Sequence, residues 1–572
     1  MCGIFSLLNT NNNDITDNLI IKEQFMKGQA RGPEYSKFDN SYLKMTLGFH
    51  RLAINGLNNE SNQPIVYNDI ILICNGEIYN YKQLYKSMNI EPITDSDCEV
   101  IIHLYLKYGI EQTLVMLDGV YAFVLYDNRI NEKLTNNIYI ARDPYGVRPL
   151  YKLYSTSNNY ELYNLYGFAS ELKCLSYFYN INTYHYRLEQ FEPGTYSMFE
   201  IGNKIRALWE PKIINKNYII PTFSHTILTY NISELENDLF KNISNYLNAS
   251  IIKRCKTTER DVACLLSGGL DSSLIAALVA NYFRKKNEQI ETYSIGLENS
   301  EDIKYARTVA DYIGSKHTEI IVSEKDMFDA IPHVIKAIES YDTTTVRASI
   351  GNYLIGKYIA ANSKAKVIFN GDGSDELLGG YLYMHKCPDD IEFDKETRRL
   401  LKDIYLFDVL RSDKSISSNG LEPRTPFLDR SFVNYILSIP PYFRNHNNFK
   451  QCEKYLLRSS FKRINFKDNL ERQILPDEIL WRKKEAFSDG VSSHGRSLFV
   501  ILQEFIADYY DNKTPSLKPH IPSIELEKNY YKEIFESEYP NCSNILPYFW
   551  MPKYTNATDP SARTLEVYNK IN

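Results

Sequence analysis

Up to about residue 210 the apolar positions fall in short runs cut by Gly, Asn, Asp and Pro, the pattern of β-strands closed by turns. Residues 69–74, 120–126, 138–141 and 162–169 each read as a strand, and the apolar spacing over 98–108 predicts a helix. Sheets covered by a few helices follow. Residues 211–233 keep no period and contain Pro211 and Pro221, so a linker is expected there. From residue 234 the pattern changes to strands alternating with helices. Strands are expected at 261–266, 290–295, 317–322 and 366–370, with helices at 271–285 and 301–313. Such alternation predicts a parallel, doubly wound sheet that binds its ligand at the carboxyl ends of the strands.

Composition narrows the function classes. The 572 residues suggest two to four domains, and 44% hydrophobic with 24% charged residues excludes a wholly disordered or fibrous chain. A net charge of −6 without a block of like charge argues against nucleic-acid binding. The nine cysteines form no CxxC pair and share no metal-ligand spacing, which points to a reducing, cytoplasmic setting. No basic stretch precedes the first apolar residues, so no signal peptide is expected. No window approaches the roughly 18 apolar residues of a membrane span.

The first candidate chemistry lies at the amino terminus. Cys2 follows the initiator Met, and removal of Met1 would put an α-amine and a thiol on one residue, a nucleophile with its own base. Further blocks follow: Arg31-Gly32-Pro33-Glu34, His50-Arg51-Leu52-Ala53-Ile54, Asn75-Gly76-Glu77-Ile78-Tyr79-Asn80, Asp95-Ser96-Asp97-Cys98-Glu99 and Ala141-Arg142-Asp143-Pro144-Tyr145-Gly146. Taken singly, Asn75-Gly76 between apolar runs reads as a hairpin turn, Arg51 as half of a surface pair and Asp97 as a helix N-cap. In order and spacing, however, the blocks resemble class II glutamine amidotransferase domains, over residues 2–210. The resemblance implies an N-terminal-nucleophile αββα sandwich that hydrolyses L-glutamine. Cys2 would be the nucleophile, and Asn75 and Gly76 would supply donors to the oxyanion. Arg51 would take the substrate carboxylate, and Asp97 with Gly76 its amine. Leu52, Ala53, Ile54, Asn55 and Glu77 would line the pocket. Relatives usually continue Arg-Leu-Ala-Ile with Val-Asp; this chain has Asn55-Gly56, so its pocket rim is expected to differ.

The second lies in the alternating half. Leu266-Ser267-Gly268-Gly269-Leu270-Asp271-Ser272-Ser273 follows a predicted strand and opens a predicted helix, where bare glycines, hydroxyls and helix N–H groups can hold phosphate. It lacks the Walker A lysine. The run from Gly351 to Lys357 fits GxxxxGK, but Tyr358 stands where a Mg²⁺-binding hydroxyl is needed, and the segment 348–361 reads as a helix. The Ser267–Ser273 loop resembles the pyrophosphate loop of N-type ATP pyrophosphatases. With Asn370-Gly371-Asp372-Gly373-Ser374-Asp375-Glu376, Thr343-Thr344-Thr345-Val346-Arg347, Arg411-Ser412-Asp413-Lys414 and Arg482-Lys483-Lys484-Glu485, residues 234–553 resemble the synthetase domain of glutamine-hydrolysing asparagine synthetases.

That resemblance implies activation of L-aspartate by ATP, with Mg²⁺, to β-aspartyl-AMP and pyrophosphate, followed by attack of ammonia from the first site. Leu266, Ser267, Gly268, Gly269, Asp271, Ser272, Ser273, Ile295, Asn370 and Gly371 would bind ATP. Asp271 and Asp375 would hold the metal, and Thr344, Arg347 and Asp372 would face aspartate or its adenylate. Lys484 would neutralise the pyrophosphate, with Lys414 and Arg424 as further cations. No nucleic-acid or membrane partner is implied, a homodimer is left open, and the tail 554–572 carries no assigned chemistry. Where the family usually has Ser-Gly-Glu-Gly this chain has Asn370-Gly371-Asp372-Gly373, so the carboxylate is one methylene shorter.

Overall fold

A computed structural model describes residues 2–10, 17–129, 135–156, 164–202, 207–219, 232–485, 490–492, 496–513, 519–565 and 568. The amino-terminal strands are β1 (Gly3–Leu8), β2 (Tyr35–Asp39), β3 (Met45–Arg51), β4 (Ile65–Tyr67), β5 (Ile70–Ile78) and β6 (Gly119–Asp127). They continue as β7 (Thr135–Arg142), β8 (Tyr151–Ser155), β9 (Tyr166–Ala169), β10 (Tyr186–Gln190), β11 (Thr195–Gly202) and β12 (Glu210–Asn217). Two antiparallel sheets result, in the orders β10-β8-β9-β1-β3-β2 and β12-β11-β7-β6-β5-β4.

Period-two alternation decides what each face meets. Ile4 and Leu8 of β1 with Leu47 and Phe49 of β3 pack on Ile71 and Ile73 of β5 and on Val124 and Tyr126 of β6, so the sheets stack face to face. The other face of β5 and β6, with Leu72, Cys74 and Phe123, is covered by the helices Tyr81–Met88 and Val100–Met116. Phe5 and Leu7 turn outward onto the helix Asn18–Met26 and also onto Met327, Ile331 and Val334 of the helix Glu324–Ile338. The expected αββα sandwich is present, and one outer helical layer is shared with the second half of the chain.

The predicted strands appear with three differences. Asn75-Gly76 is no turn: it lies inside β5, opposite Ala122 and Tyr121 of β6. The expected linker begins too early, because β12 pairs with β11 over Glu210–Asn217. As an edge strand, β12 tolerates Pro211 and, exposed along most of its length, shows no apolar period. The remaining linker residues 220–231 lie outside the described residues, as do 162–163 of the expected strand that became β9. The predicted helix over 98–108 runs on to Met116, broken at Gly109, whose φ is 76°.

The carboxyl-terminal sheet has five parallel strands: β13 (Val262–Leu265), β14 (Glu291–Gly296), β15 (Lys316–Ile321), β16 (Val367–Phe369) and β17 (Glu422–Arg424). Their order is β15-β14-β13-β16-β17. Cys264, Val367 and Phe369 face the helices Ile232–Lys256, Leu270–Arg284 and Glu301–Ile313, whereas Ala263, Ile295 and Ile368 face the helix Thr343–Asn362. Both faces are covered, as a doubly wound sheet requires. After β13 the chain turns to β14 on one side, and β16 lies on the other. The loops leaving β13 and β16 therefore part there and open a crevice.

Buried charges join the halves. Arg31 pairs with Glu171 at 2.8 Å and across the interface with Asp413 at 2.7 Å; Arg424 reaches Glu77 at 3.3 Å and Glu422 at 2.9 Å. Lys414 pairs with Glu339 and, at 3.4 Å, with Glu171. Removing one member of such a pair strands the others without water. Lys414→Met is expected to destabilise the chain by about 3–5 kcal/mol, read as a fall in the urea midpoint; an unchanged midpoint would show that the carboxylates have other partners.

Candidate active sites

Cys2 sits at the start of β1, where Gly3 pairs with His50, and its thiol points at the Leu52 carbonyl, 3.7 Å away. Burial pushes the thiol above its ordinary pKa, so a neighbouring base is needed to make the thiolate. Asn75 follows Ile71 and Ile73 by the two-residue period and so faces the same inter-sheet layer as β1. It is fully buried, and neither amide atom has a hydrogen-bond partner among the described residues. An orphaned buried amide is a preformed donor for an oxyanion. Gly76 has no room for a side chain, since a Cβ there would meet the Val120 carbonyl at 2.7 Å.

The rest of the expected pocket assembles from loops. Asp97 does not cap a helix; Ser96 caps that turn, and Asp97 accepts from the Ile78 N–H at 2.6 Å. Burial raises its carboxyl to about 6, against that hydrogen bond. Arg51 is not a surface pair. Its guanidinium donates to the carbonyls of Asn55, Gly56 and Asn58 and to Asn62 Oδ1, so it holds the loop after β3 closed on itself. Ala53 donates its N–H to Glu34 at 2.7 Å.

The Asn55-Gly56 departure joins the two halves. Asn55 donates to Glu77 at 2.7 Å and to the Thr257 carbonyl at 3.2 Å. Gly56 takes a φ of 61° and donates its N–H to Glu259 at 2.9 Å, while Glu259 donates its own N–H to the Ile54 carbonyl at 3.0 Å. Arg260 adds a bond to the Ala53 carbonyl at 2.8 Å. The glutamine-pocket loop is thus fastened to residues 257–260, which run directly into β13. Burial, with Glu422 and Asp97 nearby, drives the Glu77 carboxyl well above its usual range.

In the crevice, one cavity is lined by Leu266, Ser267, Gly269, Asp271, Ser272, Ile295, Thr344, Asn370, Gly371, Asp372, Asp375 and Lys484. Ser267 and Ser272 hold the loop in shape, their hydroxyls 3.0 Å apart. Gly268 shapes the turn from outside the lining: its φ is 72°, and a Cβ would strike Tyr305 at 2.4 Å. Ser273 is likewise buried behind the loop. Asp271 and Asp375 are brought together by two ammonium groups. Lys454 lies 2.6 Å from Asp271 and 2.5 Å from Asp375, and Lys484 lies 2.6 Å from Asp375. Burial alone would raise Asp375, but the two lysines hold it well below the ordinary carboxylate range. Two carboxylates beside a glycine- and serine-rich loop fit a hard cation shared with nucleotide phosphates. Residues 486–489, at the end of the Lys484 block, lie outside the described residues.

Thr344 opens onto the cavity with its hydroxyl unpartnered among the described residues. Asp372 also lines it, 3.7 Å from Arg411, and burial raises its carboxyl against that cation. Arg347 does not line it. Its guanidinium is taken by Glu527 and Asp559, and it is 3% exposed, so the expected direct contact with aspartate is corrected. Lys414 and Arg424 are committed to the interdomain pairs and stand outside the cavity too. The cations that do face the cavity include Arg411 and Lys454. Arg411 opens the motif Arg411-Ser412-Asp413-Lys414, whereas Lys454 has no local signal in the sequence, since it reaches the site only through tertiary folding.

Comparison with known proteins decides the family. A glutamine amidotransferase domain model matches residues 1–193, and an asparagine synthase model matches 242–392 and 386–544. Asparagine synthetase [glutamine-hydrolyzing] of Homo sapiens is 40% identical over 591 residues, covering 99% of each chain. That of Gallus gallus is 41% identical over 583 residues, again covering 99% of each chain. The chain belongs to the glutamine-hydrolysing asparagine synthetases. Within that family's two-domain order, the GxxxxGK run at Gly351–Lys357 is a decoy, since it lies inside the helix Thr343–Asn362 that backs the synthetase sheet and its Lys357 is exposed.

Proposed function

We propose that this chain makes L-asparagine from L-aspartate and ATP with nitrogen taken from L-glutamine. The observation that carries the reading is the crevice at β13 and β16, where a pyrophosphate-type loop, the Asp271–Asp375 pair with its two lysines, and Asp372 share one cavity. At the first site the Cys2 sulfur attacks the glutamine amide carbon, the oxyanion meets Asn75 and Gly76, and ammonia leaves a thioester that water cleaves to glutamate. At the second, a β-carboxylate oxygen of aspartate attacks the α-phosphorus of ATP and pyrophosphate leaves. Ammonia then attacks the acyl carbon and AMP departs. Asp271 and Asp375 would hold Mg²⁺, which would shield phosphate charge; Lys454 and Lys484 would neutralise the departing pyrophosphate. Asp372, with its raised pKa, suits a group that accepts a proton from the attacking amine. Ammonia must cross the domain interface unprotonated, which a water-excluding route would secure.

All nine cysteines are free, and no helix among the described residues is long and apolar enough to cross a membrane. We place the chain in the cytoplasm on the former ground.

Cys2→Ala is expected to lower the glutamine-dependent rate by on the order of 1,000-fold or more while ammonia still yields asparagine, AMP and pyrophosphate. Equal loss with both donors, or release of ADP in place of AMP, would contradict two separate sites. An ammonium clamp needs ionised Asp97, whose pKa is raised to about 6. Therefore kcat/KM for glutamine should fall as pH drops through that value, because kcat/KM reports the free enzyme. The ammonia-dependent rate should not share that acid limb. Finally, displacing a reacting group by about 1 Å can cost on the order of 100-fold. Asp372→Glu is therefore expected to turn over faster than the parent, and a variant no faster would remove the case for a handicap.

A further inference from the structure

The synthase match stops at residue 544, yet residues beyond it close one side of the cavity. Trp550 and Ala562 both line it. The Trp550 ring lies 5.2 Å from that of Tyr381, another lining residue, and the Trp550 backbone N–H donates to the Asp342 carboxylate at 2.8 Å. Asp342 caps the helix Thr343–Asn362, whose first turn carries Thr344 into the cavity. Trp550 and Leu565 pack with Leu382, Tyr383 and Phe407.

What holds this segment is the arginine that failed to reach the substrate space. Asp559 accepts from both terminal nitrogens of Arg347 at 2.8 Å, and Glu527 accepts from Nε and Nη2 at 2.7 and 2.6 Å. Gln503 donates to both carboxylates at 3.0 and 3.2 Å. Arg347, Glu527 and Asp559 are each at most 6% exposed. Two bidentate pairs on one buried guanidinium fix its plane and leave no slack for Asp559. Arg347 lies on the same helix as Thr344, one turn on. A single buried cluster therefore sets both the start of that helix and the path of the chain through Ala562.

The part of the cavity so bounded differs from the nucleotide loop. Tyr381, Asp408, Arg411 and Asp372 lie there, a mixture of carboxylates and a guanidinium suited to an amino acid that carries both charges. We infer that residues 550–562 form the wall of the aspartate end of the cavity, with Asp559 a positioning residue acting through Arg347 and Ala562 limiting the space for the amino acid. This rests on reading the cavity as the place of aspartate activation.

Aspartate-dependent exchange of pyrophosphate into ATP tests it in the full chain, with the glutaminase rate as a control for folding. Ala562→Leu adds bulk at the wall and leaves the Arg347 cluster intact; Asp559→Asn loosens the cluster, and Asp559→Glu restores its charge. In Ala562→Leu and Asp559→Asn, KM for aspartate should rise about tenfold or more while KM for ATP and the glutaminase rate stay within about twofold. Asp559→Glu should recover part of the loss. If Asp559→Asn also loses glutaminase, Ala562→Leu decides alone. An unmoved aspartate KM in Ala562→Leu, or equal rises for aspartate and ATP, overturns the inference. No aspartate-dependent exchange in the parent chain would instead bring down the reading of the cavity, and the inference with it.

Discussion

The two halves of this chain are bound by buried charges that pair across their interface. Arg31 and Glu77 belong to the sandwich, yet each is sealed against Asp413 or Arg424 of the other half. Burying an ion costs several kcal/mol unless an opposite charge and hydrogen bonds compensate it. Separation would leave Arg31 with Glu171 and Arg424 with Glu422 but would cost Arg31, Glu77, Arg424 and Asp413 their partners across the interface. The docked state is therefore the one in which these groups are paired, and apolar packing adds to it: Phe5 and Leu7 share a cluster with Met327 and Ile331. The Cys2 strand is thus held on both faces before any substrate arrives.

The same constraint reaches the glutamine pocket. Its loop hangs on Glu259 and Arg260, and these residues lead into β13 and so to the Ser267–Ser273 turn. Asn55-Gly56 makes this possible. Asparagine supplies a short amide that spans from Glu77 to the Thr257 carbonyl, and glycine accepts the left-handed φ that aims its N–H at Glu259. What looked from the sequence like a departure at the pocket rim is an interdomain fastening.

Legibility followed the range of the interactions. Strands with apolar periods, the phosphate-type loop and the alternation that makes a parallel sheet are local or nearly so, and they were readable. The edge strand β12 was not, because an exposed strand needs no apolar period and tolerates Pro211. Asn75-Gly76 misleads by itself, for a glycine required by a close backbone approach looks the same in sequence as one required by a turn. Arg347 is the instructive case. It stands three residues from Thr344 and one helical turn further on, so both lie in the first turns of one helix. Its partners, Glu527 and Asp559, lie about two hundred residues away in the chain, and no local pattern announces them. The same holds for Lys454, which joins Asp271 and Asp375 only once three distant segments meet.

One element belongs to both chemistries. The helix Asp408–Ser417 puts Asp408 and Arg411 into the cavity at β13 and β16, while Asp413, Lys414 and Ser417 grip Arg31, Glu171 and Glu339 near the amino terminus. Between them Ser412 takes a hydrogen bond from Asn370, at the end of β16, at 2.6 Å. Ten helical residues rise about 15 Å, so a short rigid rod connects Arg31, which donates to the Cys2 carbonyl at 3.0 Å, with Asp372 beside Arg411. Its intermediate residues Ser412, Asp413, Lys414 and Ser415 are buried. A shift of that helix would therefore be felt at both ends, by the Arg31–Asp413 pair on one side and by Arg411 with Asp372 on the other.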